Sequence, residues 1–208
     1  METVAGPRRF LTATAITGIL YTLSWIAGLS VGAPGVAVNA SGAEVVTAFE
    51  GHRSVVVVQF LCTEGLPAAG LVIIALVLAR AARGPGVAAV VRTAGVVAAT
   101  VSLVQCGLGI VLAGATASGT AHVLYDAVNR LDGVKMFALA VLAVAAAVSG
   151  VLPRWLRYAA AALAVAIVVS GVGYLLLVPG LAAVAYVSGV LLLVFVTATG
   201  IVLGRRTS

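Results

Sequence analysis

Residues 55–79 read VVVVQFLCTEGLPAAGLVIIALVLA, an apolar run of membrane-spanning length that contains one carboxyl group, Glu64. About 20 consecutive apolar residues cross a bilayer as a helix. A carboxylate near the bilayer centre costs roughly 2.5–3.5 kcal/mol on insertion scales, so it normally faces a bundle interior with a partner or a proton. The run is typical of the chain, which is 62% hydrophobic and 9% charged, with a mean hydropathy of +1.22. Ordinary globular domains carry about 25% charged residues, so a soluble domain is excluded. The Ala, Val, Leu and Gly runs do not alternate, as strands of a membrane barrel would.

Six spans follow from this pattern, at about 11–31, 55–79, 87–113, 121–151, 156–178 and 181–203. The expected fold is a single all-α integral membrane domain over residues 1–208, a six-transmembrane-helix bundle. Pro34, Pro85, Pro153 and Pro179, each beside glycine or arginine, separate the runs. Pro179 and Gly180 leave little chain between the last two spans, which are expected to be antiparallel neighbours. The leading METVAGPRRF runs straight into the first span and reads as an anchor rather than a cleaved leader.

Charge placement sets the expected topology. With a cytoplasmic N-terminus, Arg8, Arg9, Arg80, Arg83, Arg92, Arg154, Arg157, Arg205 and Arg206 fall on the inner side, nine of the twelve basic residues. Both termini are then cytoplasmic in a multi-pass protein of the cell membrane. Because the arginines flank spans, the net charge of +6 does not point to nucleic acid. No phosphate-binding GxxxxGK[ST] loop occurs. Residues 36–53 form the one sizeable external segment. Ser41 followed by Glu44 matches a capping box ahead of Val45, Val46 and Phe49, so a short amphipathic helix is expected there, either a lid or a plain connector. Gly28 with Gly32, and Gly200 with Gly204, have GxxxG spacing and are read as contacts within the bundle. Cys62 and Cys106 both lie in spans, without a CxxC, and are expected to be buried thiols rather than a disulfide.

Of the six acidic residues, Glu64, Asp126 and Asp132 lie in or beside spans. The fourth span opens AHVLYDAVNRLDGVKMFALA, where His122, Asp126 and Asn129 share one helical stripe. Arg130 is spaced to pair with Asp126, and Lys135 with Asp132. The second of these reads as a solvated pair at the helix end. A partner for Glu64 must come from another helix, and Asp126, Arg130 and Lys135 enter from the same side. Pro67 is placed to kink the helix beside Glu64. Desolvation disfavours an ionised carboxyl, so Glu64 is expected as a neutral acid. Such an acid can protonate an alkene or epoxide, or carry a proton for transport. Aromatic residues are 6% of the chain, and Tyr21, Trp25, Phe60, Tyr125, Phe137, Tyr174 and Tyr186 fall in or at the edge of spans. Aromatic faces attract cations. No DDxxD, DxDD, HExxH or GxSxG occurs, so diphosphate ionisation is not the expected chemistry, and no metal or cofactor is expected.

The six-helix layout, the acid within QFLCTEGLPA and the polar opening HVLYDAVNRLDG resemble actinobacterial membrane-bound terpene cyclases, which cyclise farnesylated indoles and are functionally similar to fungal meroterpenoid cyclases with two essential acids. The resemblance implies that Glu64 protonates the prenyl chain and Asp126 is the second catalytic carboxyl. Tyr21, Trp25, Phe60, His122, Tyr125, Asn129, Arg130, Tyr174 and Tyr186 are the expected substrate-binding residues. It also implies an apolar prenylated substrate and a prenyltransferase acting upstream. Two other readings stay open: a small proton-coupled transporter or binding protein with Glu64 as proton carrier, and a non-catalytic accessory subunit in which the charges clamp helices together.

Overall fold

The computed structural model describes residues 7–205, with side chains from residue 13 onward. Arg8 and Arg9 of the expected topology lie outside the described side chains, and Arg206 outside the described residues altogether. The chain folds into α1 (Pro7–Ser30), α2 (Gly42–Phe49), α3 (Arg53–Phe60), a π-helical turn (Leu61–Gly65), α4 (Leu66–Ala81), α5 (Pro85–Ala113), α6 (Ser118–Val148), α7 (Arg154–Leu175), α8 (Pro179–Ala182) and α9 (Ala185–Arg205). No strand occurs among the described residues. Six helices are long and apolar enough to cross a membrane, with α3, the π-turn and α4 forming one span and α8 with α9 another.

These six spans pack as a ring in chain order. α1 lies against α4, α4 against α5, α5 against α6, α6 against α7, α7 against α9, and α9 closes on α1. Inward residues step by four and three, the spacing that lets near-parallel helices interlock. In α7 the stripe is Leu156, Ala160, Leu163 and Ile167, each at most 2% exposed. Leucines and valines of the opposite faces, such as Leu20, Leu29, Val111, Val144 and Val165, point outward. Small residues set the closest approaches. A side chain at Gly200 would meet the Thr14 carbonyl, and one at Gly28 would meet Thr63 and Cys62. Both are contacts within the bundle, as expected. Gly32 has another use: its φ of +73° ends α1 and nothing packs on it.

Span ends differ from the expected ones by a few residues, for local reasons. α6 stops at Val148 because Gly150 turns the chain with a φ of +73°. α7 stops at Leu175 in a Schellman turn, with Val178 N–H donating to Gly173 O and Leu177 N–H to Tyr174 O. Leu177 takes the left-handed position of that motif, with a φ of 55°. The capping box at the start of α2 forms: Glu44 Oε2 accepts from Ser41 N–H at 2.7 Å, and Ser41 Oγ accepts from Glu44 N–H. These bonds hold the exposed Glu44 carboxyl below the usual carboxylate range. The helix docks on the start of α6, so tightly that a side chain at Gly42 would collide with the Ser118 carbonyl. Tyr125 Oη donates to Val36 O at 2.8 Å and ties down the segment before it.

The interior has two apolar clusters. One gathers Val45 and Phe49 of α2 with Val56, Leu112, Ala121 and Tyr125 at the α2 end of the bundle. The other fills the remaining depth with residues such as Leu71, Ala98, Leu139, Leu163 and Phe195. Between them, across the π-helical turn, α5 and α6, runs a buried polar layer of Glu64, Ser102, Gln105, Asn129 and Lys135.

Candidate functional site

Glu64 owes its position to the π-turn. Val56, Phe60, Glu64 and Ala68 all face inward at steps of four, with Val56 1% and Ala68 2% exposed and Phe60 against Gly109. In an α-helix each four-residue step overshoots a full circle by about 40°, so three steps drift about 120°. A π-turn inserts one residue and takes back about 100°. Here Leu66 N–H donates to Leu61 O, five residues back. Pro67 contributes, since it lacks an N–H for the Thr63 carbonyl and its ring would crowd that carbonyl in a regular helix. The expected disturbance beside Glu64 is therefore a widened turn.

Lys135 of α6 is the partner of Glu64. Its Nζ lies 2.8 Å from both Glu64 oxygens and 2.6 Å from Asp132 Oδ1. Ser102 of α5 donates to Glu64 Oε2 at 2.7 Å. Gln105, one turn on, donates from Nε2 to Asp132 Oδ1 at 3.2 Å and to Val128 O at 3.1 Å. Glu64 is 7% and Lys135 5% exposed, and each lies near the middle of its span. The Asp132–Lys135 pair does form, but as part of the interior rather than as a solvated helix end. The reason is the inward stripe of α6, which runs Ala121, Tyr125, Val128, Asp132, Lys135, Leu139, Leu142, Ala146 in steps of four and three and places both charges toward α5 and α4.

One side of this cluster borders a cavity of about 20 Å3 at the centre of the ring, room for about one water molecule. Tyr21 and Trp25 of α1 form one wall, Thr63, Pro67, Ala68 and Leu71 a second, and Ser102, Lys135, Leu139 and Leu192 complete it. Trp25 Nε1 is buried there without a hydrogen-bond partner.

The expected site residues divide. Tyr21 and Trp25 join Glu64 at the cavity. Phe60 does not line it; its ring packs on Gly109, nearer the α2 end. His122, Asp126, Tyr125, Asn129 and Arg130 lie toward the α2 end of α6. Asp126 is nine residues from Lys135, about 13 Å along the helix. It sits 3.8 Å from His122 Nδ1, and its buried Oδ1 accepts no hydrogen bond. Asn129 donates to Tyr125 O at 3.0 Å. Arg130 donates to Leu175 O at 2.9 Å, capping α7 instead of pairing with Asp126. Neither Asp126 nor Arg130 is the partner of Glu64. Tyr174 is half-buried on α7 and outside the cavity lining. Tyr186 is 85% exposed on the outer face of α9, away from any interior site. Of the three candidate partners for Glu64 the structure selects Lys135; Asp132, Ser102 and Gln105 are the members of the cluster not anticipated as site residues. Both cysteines are free thiols. No group of three or more potential metal-ligating side chains occurs among the described residues.

The cluster can store charge. Two carboxyls share one ammonium, so it carries one excess negative charge when all three groups are ionised. In an interior this deep, that excess favours uptake of a proton or another cation. Comparison with protein-family models, curated proteins and solved structures gives no match.

Proposed function

We propose that this chain is a proton-binding membrane protein that couples protonation of the Glu64–Lys135–Asp132 cluster to the binding or passage of a small molecule. The observation that carries the reading is the sharing of Lys135 between the buried Glu64 carboxyl at 2.8 Å and the half-buried Asp132 carboxyl at 2.6 Å. A proton arriving on Glu64 frees Lys135 to pair with Asp132 alone. A proton leaving restores the bridge. Asp132 is the more exposed acid, its side chain 17% accessible against 9% for Glu64, which supports it as the entry point. The Lys/Arg distribution supports an orientation with α2 outside and both termini in the cytoplasm of a multi-pass cell-membrane protein. The test is infrared titration of the purified protein in nanodiscs. A protonated-carboxyl band should appear as pH falls and be lost in Glu64→Gln. A wild-type spectrum in which no buried carboxyl titrates rejects the reading.

A second reading is the acid-initiated terpene cyclase, supported by Tyr21 and Trp25 standing beside Glu64 over a floor of leucines. It requires Lys135 to withdraw from Glu64 so that the acid can protonate an alkene, and the cavity to widen for a prenyl chain. Incubation of membranes with a farnesylated indole decides it: cyclised product that depends on Glu64 supports it, and recovered substrate counts against it.

A further inference from the structure

Glu64 faces a cavity with one polar end and walls that are otherwise aromatic or apolar. Lys135 has a second carboxylate within reach, at 2.6 Å. If it pairs with Asp132 alone, that pair is neutral, and Glu64, still held by Ser102 at 2.7 Å, becomes an anionic group open to the cavity. The Tyr21 and Trp25 rings flank that opening, and aromatic faces attract cations more strongly when water is excluded. A second anion there would meet Glu64 in an interior already short of positive charge, so the cavity favours a cation. Trp25 Nε1 adds a second polar group, a buried donor that has the Tyr21 side chain beside it but makes no well-formed hydrogen bond. Leu71, Leu139 and Leu192 line the apolar part.

We infer that the cavity binds a small organic amine in its ammonium form, carrying a hydroxyl, ether or carbonyl oxygen that accepts from Trp25 Nε1. This rests on the proton-site reading and gives that site its ligand class. The exchange balances: an amine entering uncharged takes the proton from the Glu64 carboxyl, leaving ammonium beside carboxylate. An amine entering as ammonium displaces one proton to solution. The cavity has room for about one water molecule, so the ammonium nitrogen takes that place and all of its alkyl groups require Leu71, Leu139 and Leu192 to rotate.

The probe is dimethylethanolamine, compared with isoamyl alcohol, its uncharged carbon analogue, and with trimethylamine, which lacks the oxygen. Titration calorimetry of the full chain in nanodiscs, repeated in buffers of different ionisation enthalpy, should show saturable binding of dimethylethanolamine at a pH where the amine is charged. About one proton should be released per amine bound, and isoamyl alcohol should not bind. Trp25→Phe keeps the ring and removes the donor, so it should weaken dimethylethanolamine about fivefold, the worth of one hydrogen bond, and leave trimethylamine unchanged. Glu64→Gln should abolish binding. Equal binding of isoamyl alcohol, or an equal effect of Trp25→Phe on both amines, overturns the inference even where Glu64→Gln does not fold. The infrared titration on the same sample separates the two failures: a titrating carboxyl without amine binding removes the ligand class and leaves the proton site.

Discussion

Lys135→Met removes the one ammonium of the buried cluster and keeps a side chain of similar length and good helix propensity. At pH 7 it leaves Glu64 and Asp132 facing each other across the space that Nζ filled, at 2.8 Å from one and 2.6 Å from the other. Removing one partner of a buried ion pair costs about 3–5 kcal/mol, because the remaining charge is uncompensated. Here two carboxyls lose the same cation, and the donors from Ser102 and Gln105 offset only part of that. The expected loss is therefore about 4 kcal/mol at neutral pH. It should shrink as pH falls, since both carboxyls can discharge by taking protons. The triple variant Glu64→Gln, Asp132→Asn, Lys135→Met carries no charge in the cluster and should lie within about 2 kcal/mol of wild type, because replacing a whole buried ionic group is far milder than breaking it. Denaturant titration in mixed micelles, followed by tryptophan fluorescence, measures all three proteins, and Trp25 reports from the cavity itself. A Lys135→Met protein within about 1 kcal/mol of wild type at pH 7, or a triple variant as unstable as the single one, would refute the account of the cluster as a charge-coupled unit.

Two further outcomes concern the α2 end. The Glu44 carboxyl is held below its ordinary range by Ser41, so its contribution to α2 is fully present above the unfolded carboxyl pKa of about 4.3 and is lost as pH falls through the lower folded value; amide protection across residues 42–49, taken relative to the intrinsic exchange rate at each pH, should fall in acid, and Glu44→Gln should remove that pH dependence. Gly42→Val should undock α2 from the Ser118 carbonyl and cost about 1–3 kcal/mol, seen as faster exchange in residues 36–49 with α5 and α7 unaffected.

The six spans were legible because length, apolar content and proline-glycine breaks all agree, and the α2 start because a capping box has a sequence signature. The partner of Glu64 was harder to read. Asp132 and Lys135 are three residues apart on a polar stretch, which looks like a local surface pair. Tracing the stripe Ala146, Leu142, Leu139 backwards in steps of three and four lands on Lys135 and then Asp132, and marks both as inward. The adjacent stripe of His122, Asp126 and Asn129 carries as many functional groups, so composition alone leaves Asp126, Arg130 and Lys135 open as partners, and only the packing of α6 on α5 selects Lys135. Tyr21, Trp25 and Tyr186 look alike by composition. Only the ring order of the helices separates the two that meet Glu64 from the one on the outer face of α9. The π-turn has no residue code; the four-residue spacing of Val56, Phe60, Glu64 and Ala68 is its trace.

That turn has a mechanical meaning. It stores one residue of slack at the depth of the acid, inside a helix whose two ends are fixed by loops. Passing the slack to an adjoining turn would swing Glu64 by about 100° around the helix axis without moving either end. Such a swivel would exchange the Ser102 and Lys135 partners of the carboxyl for others.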